Sequence, residues 1–345
     1  MSEKLISIIL PVYHEAENIA RCLHGLWQTL KDQPHEILVC YHYDDDPTLE
    51  AYAAISDKPP SVVLVKNTYG PGPANSIRTG FSAARGDVIV TFMADLSDPP
   101  AVIPEMTAKI REGADVVSGS RYMSGGSHFG GPLLKNFLSR AAGLSLYYVA
   151  GVGTHDSTNN FRAYSRRFLD QVLVESQTGF QIALELTVKA HLKGFQVSET
   201  PSSWRDRSAG ESGFRLLQWL PYYFHWYWRA MAVPLLIWAE LIFFTLLGVL
   251  RFARKPAVDE IDFGYLLILA LASFFYCRLA FRERRRLIWS DTLVPGALLL
   301  AWHIFFTRPA ALRILVRLAS IVGVIGVGAL YALRNRPLVK KILRL

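Results

Sequence analysis

Residues 90–100 read VTFMADLSDPP, an apolar run that ends in Asp95, Ser97 and Asp98 and then two prolines. A strand that stops at a carboxylate presents a hard oxygen donor at a sheet edge. That suits Mg2+ or Mn2+, which takes one or two carboxylates and fills its remaining positions with phosphate oxygens and water. The thioether of Met93 is a soft ligand and no substitute for such an oxygen. Asp95 is therefore the metal candidate, with Asp98 a spare carboxylate. Earlier in the chain, Pro11, Tyr13 and Glu15 follow the run LISIILPVY, where a planar ring can stack and a carboxylate can accept from N–H or O–H groups. The segment YHYDDDPT offers Asp44 and Asp45 for the same kind of recognition, and the residues leave open which of them reads the ring. NTYGPGPANSIRTGF supplies a tight glycine–proline loop followed by Arg78, which reaches a phosphate or faces solvent.

These residues need a frame, and the pattern from Leu5 to about Gly194 supplies one. The runs LISIILPVY, EILVCY, VVLVKN, DVIVTFM and DVVSGS alternate with amphipathic stretches, such as the one carrying Ile19, Leu23, Leu26 and Leu30. Continuous Val/Ile strands separated by such helices predict a parallel sheet covered on both faces. Ligands of such sheets lie beyond the carboxyl ends of the strands, where the candidates above fall. Helices are expected over residues 74–85 and from Pro100 to Glu112.

Beyond Trp204 the character changes. WRDRSAGESGFR is a polar, glycine-containing loop, and seven aromatic residues then fall between Trp219 and Trp228. Such rings favour a membrane–water interface; an aromatic core helix is the alternative. Four apolar runs follow, Ala232–Leu250, Phe263–Phe281, Leu287–Thr307 and Ile314–Leu333, each near the ~20 residues that cross a bilayer. From Met231 to Leu345 there are 16 Lys+Arg against 6 Asp+Glu, so the chain's formal net charge of +8 resides in this apolar tail. Nucleic-acid binding would place basic residues on a polar surface, so membrane anchoring explains the charge and nucleic acid is excluded as a partner. The clusters RERRR (282–286) and RNRPLVKK (334–341) lie on one side, with the N-terminal domain, if the spans number four; RFARK (251–255) then faces outward. Cys22, Cys40 and Cys277 have neither metal-like nor disulfide-like spacing, which fits a reducing compartment. The N-terminus does not read as a signal peptide.

ILPVYHEAENI, the glycine loop with its helix, ADLSDPPAVIPEM, VVSGSRYMSGG and RDRSAGES, in this order, resemble the family-2 glycosyltransferases of GT-A fold. The resemblance is to the branch of dolichyl-phosphate mannose synthase and the bacterial polyprenyl-phosphate glycosyltransferases, and it covers roughly residues 5–215. It implies that Pro11, Tyr13, Glu15, Asp44 or Asp45, Arg78, Asp95, Arg205 and Arg207 hold a UDP- or GDP-linked sugar, with Arg205 and Arg207 neutralising the leaving diphosphate. It also implies that Arg121, Lys135 and Ser139 hold a lipid phosphate; the last two are spaced i,i+4 and share a helix face. Asp95, Arg121 and Arg207 are then the catalytic set, and Asp156 orients sugar hydroxyls. The family usually has an aspartate where this chain has Met93, which removes a donor or ribose contact without removing the metal site. The resemblance adds Ser97 to Asp95 as a metal ligand, because relatives often carry a metal-binding glutamine at that position. Relatives also carry Gly-Glu-Ser-Lys where this chain has Gly213 and Arg215.

The expectation is thus an α/β protein: a GT-A, Rossmann-like, mainly parallel domain (1–213), an interfacial aromatic helix (214–230) and an α-helical transmembrane region (231–345). It would act at the cytoplasmic face of the cell's inner membrane in cell-envelope glycan biosynthesis. The reaction expected is inverting transfer of a sugar to undecaprenyl or dolichyl phosphate. The alternatives are a processive polysaccharide synthase, disfavoured because LLQWLPYY lacks the Gln-x-x-Arg-Trp motif, and a degenerate membrane scaffold. The sequence neither requires nor excludes a homo-oligomer.

Overall fold

The computed structural model describes residues 5–58, 60–206, 218–232 and 234–235. Arg207 and the four apolar runs, apart from residues 232, 234 and 235 of the first, lie outside the described residues. The described residues all belong to one compact unit, Met1–Leu236.

Seven strands form the main sheet: β1 (Ile6–Pro11), β2 (His35–Tyr41), β3 (Val62–Lys66), β4 (Val88–Thr91), β5 (Val116–Ser120), β7 (Arg162–Ser165) and β8 (Val197–Pro201). Their order is β3-β2-β1-β4-β7-β5-β8. The β1–β2, β2–β3, β1–β4 and β5–β8 pairs are parallel, as expected. The exception is β7, antiparallel to both β4 and β5. Two short strands, β6 (Ser127–Phe129) and β9 (Ser203–Arg205), pair in parallel as a separate ribbon.

Helix α1 (Ile19–Leu30) buries Ile19, Cys22, Leu23, Leu26 and Leu30 against Ile8, Leu10, Val39 and Val90 of the sheet. Its spacing in the sequence marks this face. Helix α2 (Pro47–Ala53) begins at Asp46, whose side chain accepts from the Thr48 N–H, with proline in the first turn; both are start signals. The aspartate run is thereby divided, because Asp46 is structural. Helix α3 (Pro73–Ala83) lies so close to β1 that a Cβ on Gly80 would overlap the Ile9 side chain. The helix expected from Pro100 starts as a 3-10 turn (Pro100–Val102) and becomes α4 (Ile103–Arg111).

Helix α5 (Leu133–Tyr148) and the short α6 (Arg166–Leu169) follow. Helix α7 (Ile182–Leu192) is almost wholly buried, and its buried Glu185 accepts from the backbone N–H groups of Glu175 and Ser176 and from Lys189. Residues 218–232 form a further helix, α8. One face of α8, with Trp226, Ala230 and Met231, packs on Leu146, Val152, Leu184 and Val188. The other leaves Tyr222, Phe224 and Trp228 about half exposed. The aromatic segment thus serves as core on one side and keeps an apolar surface on the other. Among the described residues no helix is long and apolar enough to cross a membrane.

The α3–β1 contact generates a stability test. Gly80→Val would place extra carbons inside the Ile9 side chain, and such overpacking costs ~1–3 kcal/mol. The apparent Tm of the detergent-solubilised protein is expected to fall by several degrees, at ~2–4 °C per kcal/mol for a domain of this size. An unchanged Tm would show that α3 can slide over β1.

Candidate active site

Strand β4 delivers Asp95 to the edge of the sheet through a turn with unusual backbone. Leu96 has φ of 60°, a left-handed conformation uncommon for a bulky residue and found where surroundings impose it. Two contacts impose it here. The Ser97 N–H donates to Asp95 Oδ1 at 3.1 Å, and the Ser97 carbonyl accepts from the Arg205 N–H at 3.0 Å. Ser97 Oγ is buried and makes no hydrogen bond among the described residues. Asp98 is 3% exposed and accepts from Asn159 Nδ2 at 3.0 Å. Burial pushes its pKa up to about 7, although the Asn159 amide and the Arg121 charge act the other way.

At the end of β5 sits Arg121, whose guanidinium is fastened by Asp156. Its Nε donates to Asp156 Oδ2 at 2.6 Å, its Nη2 to Oδ1 at 2.9 Å, and its own backbone N–H to Oδ2 at 3.1 Å. Asp156 is completely buried and also accepts from the backbone N–H groups of Thr158 and Asn159. Burial alone would raise its pKa; the Arg121 charge and hydrogen bonds instead hold it down to about 2. These contacts correct the expected role of Asp156. With both oxygens engaged, it positions an arginine and has none to offer a sugar hydroxyl. Arg121 Nη2 goes on to donate to Ser139 Oγ and Thr158 Oγ1, each at 3.1 Å. Tyr122 Oη donates to Ser139 Oγ at 2.9 Å. The structure thus joins Arg121 and Ser139 directly and adds Thr158 and Tyr122, which the sequence does not single out.

One cavity of ≈ 530 Å3 connects these parts. Met93, Asp95 and Asp98 line it together with Arg121, Lys135 and Ser139. From there its wall runs along α5, α7 and α8 through Leu138, Ala142, Leu184, Leu220, Tyr223 and Tyr227. Carboxylates, fixed cations and an apolar trough therefore share one space.

The remaining candidates separate. Pro11 is buried at the end of β1, and Tyr13 is 60% exposed, stacked on His14 and 5.9 Å from the Tyr43 ring. Glu15 is buried, its Oε2 accepting from Asn18 Nδ2 at 2.7 Å. Asp44 forms an exposed pair with Lys66, and Asp45 is exposed beside it. Arg78 donates to Asn75 Oδ1 at 3.0 Å, and its guanidinium sits 4.5 Å over the Tyr69 ring; these contacts draw it toward its own loop. Arg205 holds the Asp95–Ser97 turn through its backbone, while its guanidinium lies 5.9 Å from the Phe129 ring centre.

Comparison with known proteins identifies the family of the chain. Residues 7–173 match the profile of Glycosyl transferase family 2. The polyprenol monophosphomannose synthase of Mycolicibacterium smegmatis is 31% identical over 216 residues, covering 59% of this chain and 79% of that protein. The chain belongs to glycosyl transferase family 2. It is also 31% identical over 211 residues to a dolichol-phosphate mannosyltransferase of Pyrococcus furiosus, covering 60% of this chain and 58% of the relative. An undecaprenyl-phosphate 4-deoxy-4-formamido-L-arabinose transferase of Pseudomonas fluorescens is 29% identical, with 61% and 60% covered. The chain thus spans less than two thirds of the length of these last two. Among solved structures, glucosyl-3-phosphoglycerate synthase of Mycobacterium tuberculosis, in complex with Mn2+, UDP and glucosyl-3-phosphoglycerate, superposes with a TM-score of 0.50. It is 16% identical and 66% of this chain and 80% of that one are covered, which shows the shared α/β GT-A fold.

The contrast between a buried and an exposed ion pair gives a test. Asp156→Ala would leave the Arg121 guanidinium buried and unpaired, at a cost of ~3–5 kcal/mol. Asp44→Ala removes an exposed partner of Lys66 and is expected to leave the Tm unchanged. Thermal unfolding of the two variants measures the difference; equal shifts would contradict the structural role of the buried pair.

Proposed function

We propose that this protein transfers a sugar from a UDP- or GDP-linked donor to polyprenyl phosphate at the cytoplasmic face of the membrane, inverting the anomeric carbon. The observation that carries this reading is the single cavity in which Asp95 and Asp98, the fixed Arg121–Ser139 pair with Lys135, and an apolar trough meet. A small soluble phosphate acceptor would have no use for the trough. The names of the relatives support the same acceptor class. The apolar, basic tail supports an integral membrane location, with the catalytic domain on the side of the basic clusters.

The chemistry asks little of the protein beyond placement. A phosphate monoester is largely dianionic at pH 7, its second pKa being about 6, so its oxygen attacks the anomeric carbon without a general base. The C–O bond to the donor diphosphate breaks as the new one forms, and the diphosphate leaves with the electron pair. Arg121, Ser139 and Lys135 hold the attacking phosphate and offset its charge. Because Asp156 fixes the guanidinium beforehand, little reorganisation remains when the phosphate arrives. Arg205 and Arg207 are assigned to the leaving diphosphate, and Tyr13 and Glu15, with Asp44 or Asp45, to the nucleoside.

The residues present fit a divalent cation. Asp95 and Asp98 supply carboxylates, and the buried Ser97 hydroxyl has an unused lone pair. Among the described residues no group of three or more His, Cys, Asp or Glu gathers as a metal site. Mg2+ or Mn2+ draws most of its ligands from phosphate and water, so one or two carboxylates suffice. When bound, such an ion neutralises charge on the departing diphosphate.

Two results are expected. Asp95→Asn abolishes turnover and weakens donor binding in Mg2+ or Mn2+, whereas Met93→Ala keeps appreciable activity; a fully active Asn variant would remove Asp95 from the metal site. Lys135→Ala loses a charge-assisted contact worth ~1.5–3 kcal/mol, so transfer at limiting acceptor slows ~10–100-fold with donor affinity unchanged. The assay follows labelled sugar into organic solvent and then applies mild acid, which cleaves a glycosyl phosphate far faster than an ordinary glycoside. Label that remains in protein or polymer, or a lipid product that survives the acid, would refute the proposed acceptor.

A further inference from the structure

A second cavity, of ≈ 490 Å3, shares only Arg121 with the first, and the reaction proposed above makes no use of it. Its walls come from the segment between β5 and β6, from β6 itself and from the first two turns of α5, including Ser127, His128, Asn136, Phe137 and Arg140, and no carboxylate lines it. Arg140 is exposed and has no carboxylate partner among the described residues. His128 leaves Nε2 buried without a hydrogen bond among the described residues. His128 is also held with a pKa of about 4, because burial and the Arg121 charge oppose its protonation. With Arg121 paired to Asp156 and His128 uncharged, Arg140 is the cavity's one cation without a carboxylate partner among the described residues, and the wall holds an unsatisfied polar atom.

Its rim is apolar. Leu133, Leu134 and Phe137 of α5 are 86%, 61% and 69% exposed, and Phe129 of β6 is 56% exposed. Helix α5 carries Lys135 and Arg140 with no acidic residue. Exposed large apolar side chains around a basic pocket are costly in water and suit an interface where acyl chains meet anionic headgroups.

We propose that this cavity takes the phosphate of an anionic membrane phospholipid, separately from the acceptor phosphate, with Arg140 as its cation and the Phe129–Leu133–Leu134–Phe137 rim set among the acyl chains. Charge complementarity selects an anionic over a zwitterionic headgroup. The inference rests on the membrane-face placement proposed above and is independent of the sugar transfer. A bound headgroup would brace Tyr122 and α5, both of which hold Ser139.

The test uses the full-length protein in nanodiscs with neither donor nor acceptor. Amide hydrogen exchange across residues 121–140 is compared in phosphatidylcholine alone and with phosphatidylglycerol added. The anionic lipid is expected to slow exchange there several-fold. Arg140→Gln should return exchange to the phosphatidylcholine level while keeping transferase activity in detergent. Equal exchange in both lipids, or full protection in Arg140→Gln, would overturn the proposal. Inorganic phosphate added to phosphatidylcholine nanodiscs should give no protection; protection equal to the lipid's would mean that the cavity binds soluble anions instead. Failure of the sugar-transfer assay alone would leave these readouts unaffected.

Discussion

The salt bridge between Arg121 and Asp156 is the constraint on which the site depends. Three hydrogen bonds from one residue, two from the side chain and one from the backbone, fix both the guanidinium and the end of β5. Behind it lies Arg162, wholly buried, whose Nη2 donates to the Asp156 carbonyl. Such a pair contributes little net stability, because desolvating two charges consumes most of their attraction. What it supplies is position. Both carboxylate oxygens of Asp156 are satisfied where they stand, so the guanidinium gains nothing by moving.

The opposite end of the cavity is held by different means. Asp95 sits on a turn with left-handed backbone at Leu96, secured by the Arg205 N–H on the Ser97 carbonyl. The same strand, β9, pairs with β6, and His128 of β6 meets Trp204 of β9 edge to face at 4.6 Å. His128 in turn approaches Tyr122, the neighbour of Arg121, at 3.5 Å. The Asp95 turn and the Arg121 cluster are therefore fastened to one short ribbon outside the main sheet. A trough along α5, α7 and α8 then gives the space its apolar side, which follows from α8 having two apolar faces and burying only one.

Much of this was legible in the sequence. Long strands of Val and Ile announce themselves, and carboxylates at their ends fall where parallel sheets bind ligands. Asp95 was accessible in this way, whereas the grouping of Ser139 with Arg121 came from the family resemblance. Asp46 carried a readable cap signal, Asp-Pro-Thr, yet its two neighbours disguised it. Strands of three or four residues, such as β6, β7 and β9, are too short for periodicity to show, so the antiparallel insertion and the ribbon stayed hidden. Asp156 was read as a sugar-facing residue from the family resemblance; its partner lies 35 positions away, and no local pattern records a contact of that range. Thr158 had only its place two residues after Asp156 to mark it.

The insertion of β7 has a consequence for the order of synthesis. Strands β1 to β4 can pair as soon as they are made, but the neighbour of β4 is residues Arg162–Ser165 and not the next strand in the chain. Until that segment is made, β4 has an open edge and β5 has no place in the sheet. An unpaired, fully apolar edge is an invitation to intermolecular pairing, and non-local pairing is slow because a long loop must first close. The sheet is complete only when β8 ends at Pro201, about thirty residues before the first apolar run begins at Ala232. A nascent chain therefore has a brief interval in which to close its catalytic domain before hydrophobic segments follow it out of the ribosome.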